Sequence, residues 1–245
     1  MGNGAAPHDP KTVRYFDDHA PEYSVERLAF ATAAIQERAK EGASLVDLGC
    51  GAGNTLAHML EVTPVTDALG VDVSENLLAR CRELAGCPTM LGSIVDPDLP
   101  SRIGRKYDFA VVAAVLHHLI GPTRKRSRDY ARQAIRNALA VLEPDGHLIV
   151  LEPVFAPRLA MDAVFYVKQV VSSITSRRMF LGEDNYWTNL GAPVVSYYGN
   201  AELETMLEDE GAHVVDRNIV PADMGKLDLV LARTDTTLVA TPTAP

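Results

Sequence analysis

Cysteine is scarce in this sequence. Cys50, Cys81 and Cys87 are the only 3 among 245 residues, and their spacing matches no zinc-binding pattern. A disulfide-stapled scaffold is thereby excluded, and a reducing, cytoplasmic setting is the natural expectation. Long apolar runs are missing too: no stretch approaches the roughly 20 residues of a membrane-spanning helix. MGNGAAPHDPKT at the N-terminus lacks the apolar segment of a secretory leader, and Ala6 stands where a myristoylation signal carries Ser or Thr. Positive charge is in deficit, with 23 Lys and Arg against 32 Asp and Glu, a net charge of −9. General nucleic-acid binding needs a broad cationic surface to displace counterions from phosphates, so no nucleic-acid partner is expected. No metal ligand set is assigned.

What is present is a core-forming composition, 47% hydrophobic and 22% charged, in a chain long enough to bury a large α/β domain without staples. Residues 21–41 carry helical apolar spacing through Leu28, Ala31, Ile35 and Ala39. A strand over Ser44–Leu48 follows, then a glycine turn and a helix from near Asn54. DALGVDV reads as a second strand reaching Asp72, and Ser74 caps the next helix. PTMLGS is a short third strand. YDFAVVAAVL, Tyr107–Leu116, is apolar almost throughout, as a strand covered on both faces should be. RDYARQAIRNALAVL is a helix that leads to a fifth strand in EPDGHLIVLEP. This alternation implies a parallel sheet with right-handed crossovers. Over 154–193 the rhythm breaks, and a helical stretch rich in Met and aromatics reads as an inserted lid. NAELETMLEDEG is a helix, and AHVVDRNIV with KLDLVLAR an antiparallel pair at one sheet edge. The expected division is N-terminal lid helices over 1–42, a core over 43–153 and 194–234, the lid over 154–193, and a flexible, proline-dotted tail over 235–245.

The sharpest local feature is LVDLGCGAGNTL, in which Gly49, Gly51 and Gly53 follow a strand carrying Asp47. A strand–glycine–helix turn at the carboxyl end of a parallel sheet is a generic nucleotide site. Asn54 stands where the dinucleotide fingerprint has its last glycine, so a pyrophosphate is not the obvious occupant. Asp72 comes 19 residues after Gly53, near the spacing at which an acid accepts ribose hydroxyls. Its bland alternative is an acid favoured by the helix dipole beside Ser74. An NAD(P)-dependent oxidoreductase remains a second reading, opposed by Asn54, the edge strand pair and the absence of a Tyr-x-x-x-Lys constellation. A non-catalytic cofactor-binding protein is a third.

VDLGCGAGN followed by GVDVSENLLARC resembles the class I, Rossmann-like S-adenosylmethionine-dependent methyltransferases. YFDDHAPEY, YDFAVVAAVLHHL, VLEPDGHLIVLEP and the closing strand pair resemble further segments of that family, so the likeness spans residues 15–153 and 197–233. It implies a seven-stranded, mostly parallel sheet with an antiparallel edge strand, helices on both faces and a helical lid. It also implies S-adenosylmethionine as cofactor. The backbone of Gly49, Cys50 and Gly51 would pass along the methionine moiety, and Asp47 would sit near its ammonium. Asp72 would take the ribose and Val73 would pack on the adenine, with Tyr23 and Ala114 as further contacts. The family often has Gly-Asp after the third strand; this chain has Gly92, Ser93 and Ile94. Ser93 and the Ile94 backbone would then meet the adenine edge, with Asp96 a displaced substitute.

Methyl transfer is an in-line displacement at carbon, so the protein chiefly aligns the reactants and excludes water. A base is needed only where the acceptor carries a proton. His117 and His118 follow the fourth strand, where side chains stand over the ligand crevice, and adjacent residues there face opposite ways. One of them is a candidate base; otherwise they wall the cofactor pocket. Glu152, ending the fifth strand, would bind an acceptor amine, position a hydroxyl or bond neighbouring backbone. In the lid, Phe165, Tyr166, Tyr186 and Trp187 would line an apolar acceptor pocket, or pack the lid onto the sheet or onto a second subunit of a homodimer. The basic run of Arg124, Lys125, Arg126 and Arg128, with Arg177 and Arg178, is a solvated helix start or an attractor for an anionic acceptor. The function expected is O- or N-methylation of a small molecule.

Overall fold

The computed structural model describes residues 25–174, 194–223 and 232–243. Helix α1 (Val25–Arg38) turns Leu28, Ala31 and Ile35 inward, the face that its apolar spacing predicts. Strand β1 (Ala43–Leu48), the glycine turn and α2 (Asn54–Val62) follow. Next come β2 (Val65–Asp72) and α3 (Glu75–Ala85), whose cap Ser74 accepts from Leu77 N. Beyond β3 (Thr89–Leu91) and the short α4 (Leu99–Ile103), β4 (Tyr107–Ala113) enters the centre of the sheet. Helix α5 (Arg124–Ala140), β5 (Leu142–Ala156) and α6 (Arg158–Ile174), within the segment expected to form a lid, complete the first described stretch. Helix α7 (Asn200–Asp209), β6 (Ala212–Ala222) and β7 (Ala232–Pro242) close the chain.

The 7 strands form one sheet in the order β3-β2-β1-β4-β5-β7-β6. All pairs among the first five strands are parallel, and β7 runs antiparallel to both β5 and β6. The sheet divides the core in two. Val46, Val112 and Val150 pack on one face with α5 and α7, and Leu45, Val111 and Ile149 on the other with α1, α2 and α3. Period-two alternation buried on both faces is why these strands read as apolar runs.

Three expectations need correction. The fifth strand runs on to Ala156, paired with β7, so Glu152 lies within it rather than at its end and the strand takes the first residues of the segment over 154–193. The flexible tail over 235–245 is instead a strand: β7 runs to Pro242, wedged between β5 and β6, with Leu238, Val239 and Ala240 fully buried. Its threonines mislead because a buried hydroxyl is tolerated once it is bonded; Thr236 Oγ1 donates to Asn200 Oδ1 at 2.7 Å. KLDLVLAR, read as that strand, falls almost wholly outside the described residues. The fourth strand also ends sooner than Leu116. Ala114 turns into the left-handed region at φ 55, and Leu116–His118 form a single 3-10 turn.

Candidate active site

Strand order reverses between β1 and β4, and ligands of α/β sheets settle beyond the carboxyl ends of strands at such a reversal. After β1, Gly49 and Cys50 both donate their N–H to the Val71 carbonyl, at 2.7 and 3.0 Å, folding the turn onto β2. Asp72 Oδ2 accepts from Gly51 N at 3.0 Å and Oδ1 from Ser74 N at 2.9 Å. Asp72 therefore does hold the start of α3, as the bland alternative has it. The residue is only half-buried.

The glycines divide the work. A Cβ on Gly49 would lie 2.4 Å from Val115 Cγ2, and one on Gly53 2.9 Å from Cys81 Cα. Protein packing demands a glycine at both positions. Around Gly51, at φ +54, nothing lies within 4 Å of the Cβ position. Gly51 is the open side of the turn. Cys50 and Cys81 are buried beneath it, both sulfurs against Gly70, as small packing residues.

Asp47 is 1% exposed, and among the described residues neither carboxylate oxygen has a hydrogen-bond partner. Burial, then the neighbouring Asp72 and Cys87, pushes its pKa up to about 8. A buried acid without a partner is costly, and its chemistry suits a cationic group.

Across the reversal lies a second group. Glu152 is buried, and its Oε1 accepts from Val115 N at 2.9 Å and Leu116 N at 2.7 Å, which is what bends the chain after β4. Its Oε2 lies 2.6 Å from His117 Nδ1. Burial raises Glu152 to about 8, while burial and then the charges of Arg27, Arg233 and Lys168 lower His117 to about 3. Burial thus disfavours charge on both partners of this contact. The His118 ring lies 3.9 Å from that of His117, and Tyr197 stacks on His117 at 5.3 Å.

A family profile described as "Methyltransferase domain" matches residues 16–217. The chain belongs to the class I S-adenosylmethionine-dependent methyltransferases. S-adenosylmethionine is the cofactor. A ribosomal RNA large subunit methyltransferase E of Desulforapulum autotrophicum is 28% identical over 191 residues, covering 70% of this chain and 83% of its own. A trans-aconitate 2-methyltransferase of Acidovorax ebreus is 34% identical over 89 residues, covering 36% of this chain and 32% of its own. The chain thus aligns with only about a third of that relative's length. A magnesium protoporphyrin IX methyltransferase from Synechocystis, solved with bound S-adenosylhomocysteine, superposes with TM-score 0.61 at 15% identity, covering 96% of this chain and 100% of its own.

The residues present fit that cofactor. The orphaned acid Asp47 meets the need for an ammonium partner, and Gly51 leaves room for a ligand to approach the backbone. After β3, Asn137 of α5 donates to the carbonyls of Ile94 and Asp96 at 2.7 and 2.8 Å, fixing the turn expected to meet the adenine. Ser93 Oγ accepts from Val95 N, and Asp96 is engaged with Ser93 N and Arg102, so its side chain serves its own turn. The Ile94 side chain is in the core. Val73 is half-buried beside Asp72.

Tyr23, Tyr186 and Trp187 lie outside the described residues, as do Arg177 and Arg178. Phe165 is fully buried on the inner face of α6, whereas Tyr166 is 49% exposed on the outer face with Val167 and Val170. The two rings still meet edge to face, with centroids 5.1 Å apart. The basic run is divided, with Lys125 and Arg126 exposed and the other two turned inward. Arg124 and Arg128 turn inward to Asp162, Arg128 also to Glu202, and Arg126 lies over Tyr130. Tyr197, Asn137 and Lys168 were not singled out from sequence. Lys168, buried on the inner face of α6 and lowered by burial to about 8, has helical spacing with Met161 and Phe165 as its only sequence signal. Among the described residues no cluster of His, Cys, Asp and Glu could hold a metal ion.

Proposed function

We propose that the chain methylates an oxygen or nitrogen of a small-molecule acceptor, and that the His117–Glu152 pair takes the acceptor's proton. The 2.6 Å contact between Glu152 Oε2 and His117 Nδ1 carries this reading. When bound, the cofactor supplies a methyl group already activated on a sulfonium. Asp47, the backbone of Gly49, Cys50 and Gly51, Asp72, Val73, Ser93, Ile94 and Ala114 would hold it, and the pair manages one proton.

Below about pH 8 the pair is neutral: Glu152 donates to Nδ1, and His117 carries its own proton on Nε2. Loss of one proton leaves Nδ1–H donating to the carboxylate and a lone pair on Nε2. That form is the base. His118, tilted against His117, walls the pocket beside it.

A small acceptor is favoured by the net charge of −9, and the relative named for trans-aconitate supports it. The relative named for ribosomal RNA is the contrary case. The nicotinamide reading finds no support in the family. A cytoplasmic location fits three free thiols. No helix among the described residues is long and apolar enough to cross a membrane. A homodimer through the lid fits the exposed Leu159, Tyr166, Val167 and Val170 on α6, and sedimentation velocity tests it.

Calorimetry with S-adenosylhomocysteine and with NAD, followed by turnover on phenols, amines, carboxylates and RNA, tests the whole reading. Heat with S-adenosylhomocysteine alone and turnover of a hydroxyl acceptor that His117→Gln abolishes are expected. Turnover confined to RNA, or a fully active His117→Gln, overturns it.

A further inference from the structure

The lid helix grips the histidine turn at two points. Arg124, at the start of α5, donates from Nε to Asp162 Oδ1 of α6 at 2.8 Å and from Nη1 to Ser196 Oγ at 2.5 Å. Ser196 in turn donates its N–H to the His117 carbonyl at 2.8 Å. Seven residues on from Asp162, on the same helix, Gln169 Nε2 donates to the Gly121 carbonyl at 3.0 Å, and Gly121 N donates to Ser127 Oγ at 2.9 Å. The turn carrying His117 and His118 is therefore held from the lid on one side and from α5 on the other.

Arg124 is 3% exposed, lying between Tyr198 and Phe165, and its Nη2 is buried with no acceptor among the described residues. Burying a guanidinium with an unmet donor disfavours folding, and an apolar side chain of similar size would fill the space better. Its presence is better explained by geometry. The planar fork fixes the angle between Nε and Nη1, so Asp162 on the lid and Ser196 beside His117 are held at one relative setting, which a lysine cannot do.

We propose that Arg124 is a positioning residue that couples the lid helix α6, through Ser196, to the His117–Glu152 pair. This rests on the pair having the role given above. Ser196 holds the His117 backbone while the adjoining Tyr197 stacks on its ring. A displacement of α6 therefore reaches the imidazole through two consecutive residues, and the base is aligned only when the lid is seated.

The test needs no acceptor. In the full chain saturated with S-adenosylhomocysteine, histidine-labelled NMR should show a downfield proton on the His117–Glu152 hydrogen bond, assigned by its loss in His117→Gln. Arg124→Lys, Asp162→Asn and Ser196→Ala should each shift that signal and speed its exchange with water by about tenfold or more. Affinity for S-adenosylhomocysteine should stay within about twofold, since none of the three touches the glycine turn. Asp162 is at the surface, so Asp162→Asn carries the test if an Arg124 variant fails to fold. Variants that lower Tm and leave the His117 proton unchanged would make Arg124 a structural clamp and overturn the proposal. A wild-type chain that binds S-adenosylhomocysteine yet lacks the proton removes the pair itself, and the proposal with it.

Discussion

Asp47→Asn should act with opposite sign on the free and the liganded chain. Asp47 titrates at 3.8 in the unfolded reference and at about 8 when buried. The folded chain therefore holds this proton more tightly. The stability that its neutral form contributes is complete below pH 4 and is lost as pH rises through 8. At pH 7, about 3 units above the reference value, the ionisation forgone on folding amounts to ~4 kcal/mol at about 1.4 kcal/mol per unit. Relaxation and water penetration reduce this to about 2–4 kcal/mol. Asparagine has the same shape and no proton to lose. The free variant should thus melt roughly 5–15 °C higher at pH 7, at ~2–4 °C per kcal/mol for a chain of this size. Below pH 4 the two should converge. With S-adenosylhomocysteine the sign reverses: loss of a charge-assisted bond to the ammonium should weaken binding by about 1.5–3 kcal/mol, or ~10–150-fold. Wild type should also release close to one proton on binding below pH 8, seen as buffer-dependent heats in calorimetry, and the variant none. Scanning calorimetry from pH 4 to 9 with and without ligand tests all of this. A free variant no more stable than wild type at pH 8, or one that binds ligand unchanged, would refute the assignment of Asp47.

Glu152→Gln keeps the neutral hydrogen-bond pattern, donating to His117 Nδ1 and accepting from Val115 and Leu116, so Tm at pH 7 should change by less than about 3 °C. It locks the imidazole proton on Nε2, and turnover of a hydroxyl acceptor should fall by about 10²–10⁴. In wild type that turnover should rise with pH through about 8, the value to which burial lifts Glu152, and a flat profile would reject the base assignment. Leu238→Ala, in the segment that composition marks as a tail, should cost about 2–5 kcal/mol in urea titration because its side chain is fully enclosed. Gly51→Ala should cost only about 1–2 kcal/mol of stability for a left-handed alanine, with cofactor affinity falling more than stability does. Gly53→Ala must also displace Cys81 and should damage the fold first, as circular dichroism at elevated temperature would reveal.

The binding half of the site lies in contiguous sequence because strand, turn and helix are local. Asp47, Gly51 and Asp72 occupy the ends of two neighbouring parallel strands, and register between such strands follows from their apolar patterns. The proton-handling half is assembled from separated segments. His117 follows β4, Glu152 lies on β5, and Tyr197 arrives across the lid insertion. His117 and Glu152 were both legible as candidates, but nothing in either segment shows that they bond to each other. Arg124 illustrates the opposite failure. Four basic residues within five positions look solvated, yet three-dimensional packing turns this one inward to Asp162 and Ser196.

Sequence by itself determined the family, the methyl donor and the open glycine turn, since each rests on short-range patterns that only a few backbone conformations satisfy. Tertiary structure decided the rest. It turned a threonine-rich tail into an interior strand, drew Arg124 and Arg128 inward and left Asp47 without a partner among the described residues. It also joined His117 to Glu152. Those outcomes depend on which distant surfaces exclude water from one another, and burial is a property of the assembled fold rather than of any segment.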